Sequence, residues 1–223
     1  MENLDINKIE NCLNTEFIGK NIVYFKEIDS TNDYACALLE EHKKRSKTVD
    51  VEKLNGTLII SEIQKKGRGR FNRQWTSPPG GMWFTIILIS RMDLKDLQAV
   101  TLVSAFSAAN VLNTDFGIDV KIKWPNDIYY RDKKLGGILV ESDKIDDIVF
   151  LISGFGLNVN LGAEITFPDE IKAISLNKIT GKDLDRESLL CKILEAFENN
   201  YMVYTAEKKF SKIFKKIEKY MIY

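Results

Sequence analysis

Residues 120–142, VKIKWPNDIYYRDKKLGGILVES, hold the pattern on which the fold turns. Three short β-rich runs follow one another there: VKIKW (120–124), IYYR (128–131) and LGGILVES (135–142). Pro125, Asn126 and Asp127 punctuate the first gap and RDKK tips the second, so the runs read as strands in hairpin succession. Upstream, MWFTIILIS (82–90) is apolar on both faces, as a buried central strand must be. LKDLQAVTLVSAFSAANVLN (94–113) is apolar or small nearly all round, which marks a helix packed deep against the sheet. Nearer the N-terminus, NIVYFKEI (21–28) reads as a strand. DSTNDYACALLEEHKK (29–44) reads as a helix capped by Ser30 or Thr31, with Asp33 in its first turn. Arg45 to Asn55 is polar and reads as an exposed connection, and GTLIISEIQ (56–64) as a short β-rich run. Downstream, DDIVFLISGFGLNVN (146–160) reads as a strand ending in a glycine-bearing loop. The pattern turns helical from Ile171, most clearly in RESLLCKILEAFENNYMVY. Strands in hairpin order, with helices before, between and after them, predict an α+β domain.

At 223 residues the chain can bury one good core with at most a small appendage. Its 44% apolar and 29% charged content is that of a globular protein. Lys plus Arg equals Asp plus Glu at 32 each, which argues against a general nucleic-acid binder. Against that balance, KKGRGRFNR (65–73) carries five cations and no acid, a local concentration suited to a small anionic ligand. Its glycines allow close backbone approach, and its guanidinium forks match phosphate; a solvated basic turn is the plainer alternative. Neither the G-x-x-x-x-G-K-[ST] loop nor a G-x-G-x-x-G that opens a helix is present. KWPND, KKLGGILVE and GFGLNVN each read, taken singly, as turns or as glycines relieving crowding.

Cys12, Cys36 and Cys191 lie far apart and are expected to be buried or free thiols in a reducing compartment. His42 is the only histidine and sits among Glu40, Glu41, Lys43 and Lys44, which argues against a histidine triad or a zinc site. No signal pattern or membrane-spanning run is visible, so a cytosolic protein, not bound to membrane, is expected.

Taken together and in this order, DSTND, QKKGRGRFNRQW, KWPNDIYYRDKKLGGILVE and GFGLNVN resemble the biotin–protein ligases, over residues from about 20 to 200. The resemblance implies a class II aminoacyl-tRNA-synthetase-like, biotin–lipoate ligase catalytic domain, with a mixed, mostly antiparallel sheet flanked by helices. It implies an ATP- and Mg²⁺-dependent enzyme that forms biotinyl-5′-AMP and pyrophosphate, then passes biotin to a lysine of a biotin carboxyl carrier domain. Such an enzyme must bring a carboxylate to a polyanion, and unit charges about 4 Å apart interact by roughly 4 kcal/mol near a protein surface. Cations and Mg²⁺ would offset that repulsion, and a closing loop would shield the anhydride from water.

By the same resemblance, Ser30, Thr31, Asn32 and Gln64 would contact biotin, and Gly67, Arg68, Gly69 and Arg70 would form the adenylate loop. Arg68 would reach the carboxyl and phosphate oxygens, with Arg70 and Arg73 binding phosphates or fixing the loop. Lys134 would pair with the α-phosphate and the biotin carboxylate, making Lys134, Arg68 and Arg70 the catalytic candidates. Trp75 would stack on adenine and Asn158 would bond its edge. Asn126 and Asp127 would coordinate Mg²⁺ or orient pyrophosphate, unless Asn126 serves only its turn. Gly136, Gly137 and the strand around Ile138 would wall the biotin pocket.

Two departures stand out. Some twenty residues precede the first strand, too few for the DNA-binding helix pair that many family members carry, so no DNA partner is expected. The chain ends in KKFSKIFKKIEKYMIY, basic and helical in pattern, where a C-terminal SH3-like domain would begin. A single catalytic domain over 1–223 is therefore expected, and a homodimer is allowed. Two competing readings remain: a lipoate or octanoyl ligase or transferase on the same fold, and a biotin-binding protein with impaired transfer.

Overall fold

Strand β3 (Met82–Ser90) is apolar along its length because both of its faces are covered. The structure is a computed structural model describing residues 2–45, 51–90, 97–145, 148–165, 167, 172–207 and 210–222. Before β3 come α1 (Ile6–Cys12), β1 (Ile22–Phe25), α2 (Thr31–Arg45) and β2 (Leu58–Ser61). After it come α3 (Leu97–Thr114) and the strands β4 (Lys121–Lys123), β5 (Asp127–Tyr130), β6 (Lys133–Ile145) and β7 (Ile148–Leu157). Helices α4 (Leu176–Thr180), α5 (Arg186–Glu207) and α6 (Phe210–Ile217) precede a last short strand, β8 (Met221–Ile222).

The strands form one sheet in the order β1-β2-β3-β7-β6-β5-β4-β8. Its outermost pairs, β1–β2 and β4–β8, are parallel and the pairs between them antiparallel. The mixed, mostly antiparallel sheet expected from the hairpin succession is the sheet that forms.

Side-chain alternation sorts the sheet into two faces. Phe84, Ile86, Leu88, Leu151, Phe155 and Leu157 point to one face and form the larger core with α3 and α5. Phe84 and Phe155 stack at 4.5 Å between centroids, and Phe197 of α5 meets Phe155 edge-on. Deep burial of α3 is tolerated because Ser104 and Ser107 turn their hydroxyls back onto the carbonyls of Val100 and Val103. Ile59, Ile87, Phe150 and Ile152 point to the other face, where Ala35 and Leu39 of α2 cover them. That cover stops where β7 changes from Ile152 to Gly154 and Gly156, and a cleft takes its place.

Three expectations need correction. The basic tail is helical through α6 and a 3-10 turn at Glu218–Tyr220; Met221 and Ile222 then pair with Ile122 and Lys123, closing the β4 edge. Within the connection from Arg45 to Asn55, residues 46–50 lie outside the described residues. Its end is not exposed, because a 3-10 turn at Val51–Leu54 buries Leu54 against α2 and β3. Cys12 and Cys191 are not free thiols: α1 packs on α5 and the two form a disulfide across 179 residues, leaving Cys36 free. Sequence spacing carries no signal for a pair so distant; only the docking of the helices makes it.

Candidate functional site

The cleft has a volume of about 200 Å³ and lies over the ends of β6 and β7. Its floor is set by missing side chains. A β-carbon on Gly156 would come within 2.6 Å of Trp75 Nε1, one on Gly154 would run into Asn32, and one on Gly137 would crowd Asp127 and Trp75. Gly137 and Gly156 are opposite one another in the β6–β7 register, so the clearing spans two strands.

The basic stretch forms the roof as a folded hairpin. Gln64 bridges to Ser77 and Arg68 to Gln74. Gly69 N–H donates to Arg73 O and Trp75 N–H to Gly67 O, each at 2.8 Å. A 3-10 turn at Arg70–Asn72 makes the tip, with Phe71 and Asn72 both at φ 57°. Gly67 is needed where the hairpin arms cross, because a β-carbon there would meet Trp75 O at 2.5 Å.

The closed end of the cleft is a network of hydrogen-bonded hydroxyls and amides. Ser30 caps α2, its Oγ accepting from the Asp33 N–H at 3.3 Å. The Thr31 N–H and hydroxyl both donate to Gln64 Oε1, at 2.9 and 3.0 Å, and Gln64 Nε2 donates to Ser77 Oγ. The Thr85 hydroxyl reaches from β3 to Thr31 Oγ1 at 2.8 Å and Asn32 Oδ1 at 2.7 Å. Asn32 Nδ2 donates to Glu141 Oε2 at 2.8 Å.

Cations line the open end. Lys134 Nζ sits 2.8 Å from Asp127 Oδ1 and 5.1 Å from the centre of the Trp75 ring. Arg70 donates to Asn126 Oδ1 at 3.1 Å, while Asn126 Nδ2 donates to Ile138 O, pinning the β4–β5 turn to β6. Arg73 and Trp124 complete the rim. Arg68 also lines the cleft, where its guanidinium makes a bidentate pair with Glu141 at 2.9 and 2.7 Å and its Nε lies 2.6 Å from Asp33 Oδ1. Burial works against that charge, but Glu141 and Asp33 together hold the guanidinium above its ordinary pKa. Beside them, burial and the Glu141 charge push the Cys36 thiol up to about 11.

Beyond Trp75 a second cavity of about 40 Å³ is lined by Gln74, Trp75, Thr76, Lys134, Asn158, Phe167 and Ala173. Trp75 Nε1 and Asn158 Oδ1 are buried with no hydrogen-bond partner among the described residues. Asn158 Nδ2 is fixed on Ile174 O at 3.0 Å, and Asn158 lines the same cavity as Trp75.

Most of the expected residues therefore meet. Ser30, Thr31, Asn32, Gln64, Arg68, Gly69, Arg70, Arg73, Trp75, Asn126, Asp127, Lys134 and Gly137 line the cleft, and Asn158 lines its neighbour. Gly136 does not wall the pocket. It lies opposite Leu157, where a β-carbon would press on Gly156 O at 2.8 Å and Leu157 Cδ1 at 2.9 Å. Asp33, Ser77, Thr85 and Glu141 were missed, although a lone threonine in the apolar β3 run and an acid closing LGGILVE are visible signals.

No cluster of three or more metal-ligating side chains occurs among the described residues. Asp127 offers one carboxylate, which suits a Mg²⁺ carried in on nucleotide phosphates and completed by water better than a cation caged by protein.

Residues 24–158 match the Biotin/lipoate A/B protein ligase family. The chain belongs to that family. It is 36% identical over 196 residues to the bifunctional ligase/repressor BirA of Bacillus spizizenii, covering 86% of this chain and 57% of that protein. It is 29% identical over 205 residues to biotin–protein ligase 2 of Arabidopsis thaliana, covering 85% of this chain and 55% of that one. The chain thus spans a little over half the length of these curated relatives. The structure is also similar to that of the biotin protein ligase from Aquifex aeolicus in complex with biotin and ATP. The TM-score is 0.71 at 35% identity, over 92% of this chain and 79% of that one. The sheet and its flanking helices are those of the biotin protein ligase catalytic fold. No described helix is long and apolar enough to cross a membrane.

Proposed function

We propose that the chain is an ATP-dependent biotin–protein ligase, joining the biotin carboxylate to the α-phosphate of ATP and then transferring biotin to a lysine of a carrier domain. One observation carries this reading: a closed end of hydroxyls and amides and an open end lined by cations share one glycine-floored cleft under Trp75. The closed end offers the hydroxyls and amides of Ser30, Thr31, Asn32 and Gln64, groups able to donate to and accept from a ureido group. Lys134 lines both cavities and would pair with the carboxylate and the α-phosphate. Its charge would offset the repulsion between the two anions and stabilise the charge that develops as the carboxylate attacks. Arg70 and Arg73, on the roof, would bind the displaced pyrophosphate. In the second cavity, Trp75 offers its ring face to adenine, and the free acceptor of Asn158 suits an exocyclic amine. Mg²⁺ held on the phosphates and on Asp127 would neutralise charge as pyrophosphate leaves. No protein nucleophile is required, since the substrate carboxylate attacks first and the acceptor amine second.

The test is pyrophosphate release with ATP and biotin, then with ATP and lipoate, followed by labelling of a biotin carboxyl carrier fragment. Release with biotin alone and label on the carrier lysine are expected. Release with lipoate in place of biotin would overturn the substrate assignment, and release without transfer would leave only the first half-reaction.

A further inference from the structure

Asn32 faces two ways. Its Oδ1 lies 2.7 Å from the Thr85 hydroxyl within the closed end, and its Nδ2 donates to Glu141 Oε2 at 2.8 Å. The same Glu141 carboxylate receives both terminal nitrogens of Arg68, a residue of the roof hairpin. Gly154 makes this possible, since any side chain there would displace Asn32.

We propose that Glu141 is a positioning residue that joins the roof to the closed end: through Arg68 it holds the hairpin over the cleft, and through Asn32 it registers what occupies the polar end. A bidentate pair between guanidinium and carboxylate fixes orientation as well as distance. A second charge, Asp33 of α2, lies 2.6 Å from Arg68 Nε as an ion pair without a hydrogen bond, so elements of two different layers bear on the roof. A ligand that exchanges hydrogen bonds with Thr85 or Asn32 would redirect the Asn32 amide and so alter the seat on which Arg68 rests. That response to biotin rests on the ligase reading; the clamp itself does not.

The experiment has two arms. First, amide hydrogen exchange is followed without added biotin at Gly69 and Trp75, whose N–H groups close the hairpin. Glu141→Gln should speed both by about tenfold while leaving β3 and β7 unchanged, and should add nothing further in an Arg68→Ala background. Exchange at Gly69 and Trp75 within about twofold of the unsubstituted protein, or accelerations that multiply in the double variant, would overturn the clamp. Should Glu141→Gln loosen β3 as well, Asp33→Asn replaces it, with about threefold faster exchange at the same amides expected and no change counting against the proposal. In the second arm, Glu141→Gln should speed biotin dissociation and raise the biotin KM about tenfold, with kcat for pyrophosphate release changed by less than about threefold. An unchanged KM would overturn the coupling. If the unsubstituted protein binds no biotin, the ligase reading fails while the exchange arm still decides the clamp.

Discussion

Lys134 is held by Asp127 and shielded by the Trp75 ring, so truncating it leaves a carboxylate in a narrow space without its partner. Lys134→Ala should lower kcat/KM for biotin activation by about 2–5 kcal/mol of transition-state stabilisation, measured by pyrophosphate release; an unsubstituted rate would remove it from the chemistry. Cys36 makes a second prediction. With its thiol at about 11, alkylation by iodoacetamide at pH 8 should be about a hundredfold slower than for an ordinary cysteine, because the thiolate is the reactive form. The folded protein holds that proton more tightly than the unfolded chain does. Its contribution to stability is therefore complete below the ordinary value of 9.0 and is lost as pH rises toward about 11. At this scale the sequence showed residues whose chemistry is conspicuous: arginines between glycines, a lysine before a glycine strand, an indole beside them. Thr85 and Glu141 stand out as polar residues in β runs, but the sequence does not say which partners such a residue meets. Only the pairing of β3 with β7 sets Thr85 opposite Gly154, buried beneath Thr31 and Asn32.

Among the elements, the succession of strands from β4 to β7 was readable because each break carries turn-forming residues and each run fits a strand. β8 was not, since two residues show no period and its pairing with β4 depends on α6 turning the chain back. Ile217, fully buried at the end of α6, is the anchor of that return, with Tyr220 set edge-on against Phe106 and donating to Asn110 Oδ1 at 2.9 Å. Ile217→Ala should cost about 2–5 kcal/mol by cavity formation, read as a lower denaturation midpoint with an unchanged slope. A midpoint equal to that of the unsubstituted protein would mean that β8 is not anchored there.

For the molecule as a whole, long-range contacts decide how the ends close on the sheet. Glu62, at the end of β2, and Arg186, at the start of α5, form a buried ion pair at 2.7 Å across 124 residues. Arg186 also donates to Gly81 O and Glu2 O, so one guanidinium gathers the N-terminal arm, the entry to β3 and α5. No local pattern marks such a pair, just as none marks Cys12 with Cys191. Glu62→Gln should cost about 3–5 kcal/mol, since it strands a buried guanidinium; chemical denaturation measures it, and a loss below about 1 kcal/mol would place the pair in water. Trp75, finally, is the partition between the two cavities, with a buried indole N–H and an ammonium above its ring. Such a chromophore is sensitive to what enters on either side, while Trp83 is locked in the core with its N–H on Pro78 O. In a Trp124→Phe background, therefore, the protein carries its own optical probe. Separate shifts in emission for vitamin and nucleotide would distinguish the two compartments without any label.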